Sequence, residues 1–166
     1  MKLMGKQVVF FCLVTMVSSC NFYSLTGYEI TADTASVAFF ENQAPIQSVE
    51  LSQTFTNKLE QKLIRETPLQ LVQDSGQLQF SGAIVGYGLR AAAVTGAEQT
   101  EQTELRITVR VDYVDEEFPK NNFSENFSAT ETYDANLDLS SVESQLLESI
   151  TDQLVQNIFN RAFINW

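Results

Sequence analysis

Three groups of residues have types and spacings that could carry chemistry. The first is a single thiol. Cys20 stands behind Ser18 and Ser19, at the end of an apolar run over residues 8–17 that follows Lys2 and Lys6. A cationic start, a short apolar stretch and small residues before a cut make a secretory leader. A cysteine at the cut is where a bacterial lipoprotein takes its lipid. Ten apolar residues are too few to cross a bilayer, which takes about 20. The expectation is that residues 1–19 are a lipoprotein signal peptide and that Cys20 carries diacylglycerol and an N-acyl chain such as palmitate. More than one acyl chain would anchor stably, since one alone is marginal. The plain alternative is an ordinary leader, or a buried helix that happens to end in cysteine.

The second group is Arg90, Arg106 and Arg110. If the connection around Ala97 and Glu98 turns a hairpin, Arg90 and Arg106 meet across it, with Arg110 on the face of Arg106. Like charges facing across strands destabilise a sheet, so the pair calls for an anion. Arginine forks suit phosphate, and Glu104, Asp112 or another carboxylate would serve as well. The third group is Lys58, Lys62 and Arg65, at i, i+4 and i+7 of an amphipathic stretch. They form either a weaker anion-binding face or a solvated face interrupted by Glu60 and Glu66.

The absences narrow the chemistry. The chain has 166 residues, 10 basic against 21 acidic, and no histidine. Its only other cysteine, Cys12, lies in the leader. Ser-His-Asp and Cys-His catalysis and the usual zinc sites are therefore excluded. No phosphate-binding or dinucleotide glycine motif occurs. Carboxylate-only chemistry such as glycoside hydrolysis stays possible in principle, but scattered acids on an acidic surface explain those residues, so no enzyme and no cofactor beyond the covalent lipid are expected. A net charge of −11 argues against nucleic acid and against lying flat on anionic lipid. The membrane is reached through the lipid anchor only.

The elements that must position these residues can be read from periodicity. Residues 20–34 show no clear period and read as a lipidated tether; residues 35–166 read as one domain. Residues 35–40 are β-rich. Leu51, Phe55, Leu59 and Leu63 recur every four residues, one face of a helix over about 48–67 that Pro68 ends. Residues 69–72 read as a possible short strand and 78–89 as a long strand, loosened or bulged by Gly82, Gly86 and Gly88. Leu105, Ile107, Val109, Val111 and Tyr113 alternate with polar residues, a strand with one wet face. Phe123, Phe127, Ala129 and Tyr133 continue an antiparallel meander after a turn at 115–121. Ser140 and Glu143 fit a capping box that opens a last helix with an apolar stripe from Val142 to Phe163. The order β-α-β-β-β-α predicts an α+β two-layer sandwich, two amphipathic helices packed on a mostly antiparallel four-stranded sheet.

The leader and Cys20, residues 37–42, the helix at 51–59, the stretch 69–82 and the close at 159–166 together resemble LptE, the lipopolysaccharide-assembly lipoprotein family. The combination carries the likeness; no single motif does. The resemblance implies a non-enzymatic role. LptE proteins are outer-membrane lipoproteins that sit as a plug inside the LptD barrel, help it to fold and aid lipopolysaccharide delivery to the outer leaflet. It also implies two helices against a four-stranded sheet. Lipopolysaccharide is then a possible partner, with lipid A phosphates as the anion for Arg90, Arg106 and Arg110. Asn21, rather than aspartate, follows Cys20, and no acidic run does; by known sorting rules this favours the periplasmic face of the outer membrane of a Gram-negative bacterium. The alternative is a free-standing periplasmic lipoprotein module that binds lipid or glycan without a barrel. Asp33-Thr34-Ala35 also resembles an O-glycosylation site of exported proteins.

Overall fold

The computed structural model describes residues 30–46, 48–92 and 101–164. The order is β1 (Thr34–Val37), β2 (Glu41–Asn42), α1 (Val49–Glu66), β3 (Gln70–Leu71), β4 (Leu78–Ala91), β5 (Gln102–Asp115), a 3-10 turn (Pro119–Asn121), β6 (Phe123–Asp134) and α2 (Leu139–Phe163). The class is the expected one, two helices on one face of a sheet. The sheet has six strands rather than four, in the order β3-β1-β4-β5-β6 with β2 also against β4. The three long strands form the antiparallel meander. The short strands β1, β2 and β3 pair in parallel.

Local sequence explains most boundaries. Ser48 caps α1, its Oγ accepting the Leu51 N–H at 3.3 Å. The helix ends at Thr67, extended before Pro68. Leu51, Phe55, Leu59 and Leu63 are fully buried, each worth about 1.5–3 kcal/mol of transfer free energy. The stripe of α2 is buried likewise from Leu146 to Phe163. The capping box does not form. Asp138 is the N-cap, without a side-chain cap bond. Ser140 falls inside the first turn, and Glu143 instead accepts the Tyr87 hydroxyl proton at 2.8 Å. A tertiary partner has taken the carboxylate that a local cap would have used.

The helices run side by side in the same direction. Contacts advance in step: Ser144 with Glu50, Asp152 with Lys58, Gln156 with Lys62. Across the sheet, Leu105, Ile107, Val109 and Val111 face the helices with no exposure. Gly82 is required where it stands. Its φ is +147°, and a Cβ there would come within 2.0 Å of the Arg110 carbonyl oxygen.

The end of the expected tether belongs to the fold. Ala32 is buried, Thr31 Oγ1 donates to Glu117 at 3.0 Å, and Gln77 Oε1 accepts the Asp33 N–H at 2.6 Å. Thr34 Oγ1 accepts the Gln77 N–H at 3.1 Å inside β1, so a glycan on Thr34 would break a rung that orders the chain's entry.

Candidate functional site

The side chains of β5 that point away from the helices are Glu104, Arg106, Thr108, Arg110 and Asp112. Their neighbours on β6 are Thr132, Thr130, Ser128, Asn126 and Ser124. This outer face is rich in short hydroxyls, and Thr108 and Ser128 share a hydrogen bond at 2.9 Å. It carries all three candidate arginines. The hairpin connection proposed around Ala97 and Glu98 lies outside the described residues, as does Cys20.

The register settles how the arginines are held. A connection centred near Ala97 and Glu98 brings Arg90 and Arg106 near each other across the hairpin. In the observed register Arg90 faces Glu104 and Arg106 faces Gly88, so the two arginines are diagonal neighbours on one face rather than directly opposite. A carboxylate, not a like charge, therefore stands directly across from Arg90, the arrangement that cross-strand electrostatics favours. Arg90 Nε lies 2.7 Å from Glu104 Oε1, and its Nη2 donates to Oε2 at 3.1 Å. Arg106 Nε reaches the same Oε1 at 3.8 Å. Glu104 is only 14% exposed at the side chain, against 60% for Arg90 and 49% for Arg106. Arg110 approaches Asp112 at 3.8 Å, and Asp112 also accepts from the Ser124 hydroxyl. The carboxylate partners anticipated for this group are present, and Arg90 and Arg106 share one of them, leaving a surplus of one positive charge.

The lysine face is not an open anion site. Lys58 Nζ meets Glu148 at 2.7 Å and Asp152 at 2.5 Å on α2. Lys62 Nζ donates to Gln156 at 2.6 Å, pairs with Glu66 at 2.6 Å and lies 5.1 Å from the Phe159 ring centre. Both ammonium groups sit in the seam between helices, which the helical spacing alone could not show. Arg65 is exposed at the end of α1.

A groove of about 310 Å³ opens beside the arginines, lined by Pro45, Gly86, Gly88, Leu89, Arg106 and Thr108 among others. It forms because two glycines put no side chains on this part of β4. A bulge between Ile84 and Gly86 places both on the outer face. Strand glycines were legible as a bulge signal; the groove was not, since its Pro45 wall comes from a distant loop. Tyr87, on the core side of the same strand, has its hydroxyl pKa raised, chiefly by burial and then by the bond to Glu143. Among the described residues no cluster of three side chains could hold a metal ion, and no helix is long and apolar enough to cross a membrane.

Comparison with known families decides the kinship. The model of the LptE lipopolysaccharide-assembly family matches residues 32–162. The chain belongs to the LptE family. Among solved structures, the hypothetical protein CT253 from Chlamydia trachomatis superposes with a TM-score of 0.54 at 13% identity, covering 78% of this chain and 95% of that one. The minor lipoprotein from Acinetobacter baumannii gives 0.47 at 19% identity, covering 78% and 91%. The uncharacterized lipoprotein B from Nitrosomonas europaea gives 0.49 at 16%, covering 83% and 88%. At 13% identity the likeness to CT253 supports the fold alone. No curated protein matches the chain in sequence. Membership places the chain in lipopolysaccharide assembly, and the family match takes in Arg90, Arg106 and Arg110.

Proposed function

We propose that this protein is a non-enzymatic, lipid-anchored partner of an LptD-like outer-membrane barrel, acting at the periplasmic face of the outer membrane to help the barrel fold and to plug it during lipopolysaccharide export. The observation that carries the reading is the family match across residues 32–162.

The geometry is suited to it. The chain enters the domain beside Glu117, at the β5–β6 turn. The arginine pair stands near the other end of β4, about 33–40 Å away at some 3.3 Å per residue. A lipid on Cys20 would therefore tether one end of the domain and leave the arginine end free to reach into a barrel. The outer sheet face offers a barrel wall hydroxyls and amides that bond without a large desolvation penalty. With one unbalanced positive charge, Arg90, Arg106 and Arg110 give a lipid A phosphate a weak hold. Lipopolysaccharide is then handled by the complex rather than gripped by this chain.

Depletion in the native bacterium tests the role. Folded barrel and surface lipopolysaccharide should fall together, and a Cys20→Ala form should restore neither in full. If both persist after depletion, the role is wrong.

A further inference from the structure

Among the described residues, the upper part of β4 is an open strand edge. On one side it pairs with β5 as far as Ala91. On the other, β1 leaves at Phe80 and β2 at Ile84. The last rung there runs from Gln43 N–H to the Ile84 carbonyl. The chain then turns off at Ala44 and Pro45, and proline has no N–H to continue a ladder. The Ala92 N–H donates to the Gln102 carbonyl, so even-numbered residues of this stretch turn their peptide groups toward β5. By alternation, Tyr87, Leu89 and Ala91 turn theirs to the open edge. Among the described residues no hydrogen bond is made from that edge.

Gly88 adds a second, independent observation. Gly76 and Gly82 are each explained by close backbone and Gly86 by Thr108, but a Cβ on Gly88 would meet nothing within 4 Å. A glycine inside a strand weakens it and often marks a bulge, a bend or the close approach of a ligand or another backbone; the bulge here lies between Ile84 and Gly86, and the space over Gly88 is open. The space over Gly88 lies between Arg90, two residues along, and Arg106, directly across. These two cations share Glu104 in a chain of net charge −11. On the other side of the strand Leu89 is 44% exposed.

We infer that the groove between Pro45 and the open edge of β4 binds an extended polypeptide segment by strand addition, one that alternates acidic with apolar side chains. Its backbone pairs with Tyr87, Leu89 and Ala91. Its acidic residues pass over Gly88 to Arg106 and Arg90, and its apolar residues lie beside Leu89. Strand addition takes affinity from the backbone and specificity from alternate side chains. The site is read on the chain alone, so it stands or falls separately from the barrel role.

The test is NMR on the full chain in detergent micelles, with an eight-residue peptide alternating Glu and Val as probe and its Lys–Val counterpart as control. The Glu–Val peptide should slow amide exchange at Tyr87, Leu89 and Ala91 by about tenfold or more and leave Gly88 and Arg90 unchanged. The Lys–Val peptide should bind at least about tenfold more weakly, and Arg106→Gln should shrink that preference. Leu89→Pro removes an edge N–H but no rung to β5 and should abolish the protection. A Glu–Val peptide N-methylated at alternate residues makes the same test without altering the protein. Absence of edge protection overturns the proposal. So does inorganic phosphate displacing the peptide as well as the peptide binds, because the groove would then be a plain anion site.

Discussion

Replacing Glu104 by glutamine shows how the arginine pair is held. The carboxylate is nearly buried, whereas its two partners are about half exposed, so water and salt screen much of the attraction. Exposed pairs couple by about 0.2–1 kcal/mol. Arg90 meets both carboxylate oxygens, at 2.7 and 3.1 Å, and belongs near about 1 kcal/mol. Arg106 has a single approach at 3.8 Å and belongs near about 0.2 kcal/mol. Glu104→Gln should therefore destabilise by about 1 kcal/mol, or about 2–4 °C in Tm for a domain of this size. Double-mutant cycles with Arg90→Gln and with Arg106→Gln, by urea denaturation at low salt, isolate each coupling. Both should shrink at about 0.5 M salt. A coupling to Arg106 equal to or larger than that to Arg90 would refute the geometry, and one that ignores salt would refute the electrostatic account.

Other expectations follow from single contacts. Gly82→Ala should destabilise by about 2–4 kcal/mol in urea melts, from a strained φ and a Cβ driven into the Arg110 carbonyl; a near-neutral result would mean that the strand path is wrong. Tyr87→Phe should cost about 0.5–1.5 kcal/mol at neutral pH. Because burial and Glu143 raise the Tyr87 pKa, the folded state holds this proton more tightly than the unfolded chain does. The stabilisation is complete below the ordinary tyrosine value of about 10 and is lost above it. The wild-type minus variant difference in stability should therefore decline from about pH 10 upward, and a difference that is flat or grows there contradicts the assignment. Lys58→Met should lower stability by about 1 kcal/mol, less at high salt, while leaving phosphate binding unchanged; a loss of phosphate affinity would restore the lysine face as an anion site.

Much of the fold was legible because its signals are local. The four-residue recurrence of Leu51, Phe55, Leu59 and Leu63 and the alternation of Leu105 to Tyr113 each report one buried face. What escaped depends on partners distant in the chain. Glu41–Asn42 is a strand only because β4 runs beside it, and two residues carry no period. Glu143 obeys a capping pattern yet bonds Tyr87, 56 residues away. The exact register that sets Glu104 directly across from Arg90, with Arg106 on the diagonal, depends on the hairpin connection, which composition does not specify. Lys58 and Lys62 looked like a surface patch because helical spacing gives a face but not what packs against it. The groove beside Gly88 needed both the bulge and the Pro45 loop, and only the unexplained glycine hinted at it.

The assembly role is tested most directly by what accompanies the protein out of the membrane. Tagged, full-length protein, purified from detergent-solubilised envelopes and weighed by native mass spectrometry, should emerge with one equivalent of a large β-barrel protein that survives washing. Emergence alone, or with lipid only, would contradict the account and favour a free-standing binding module.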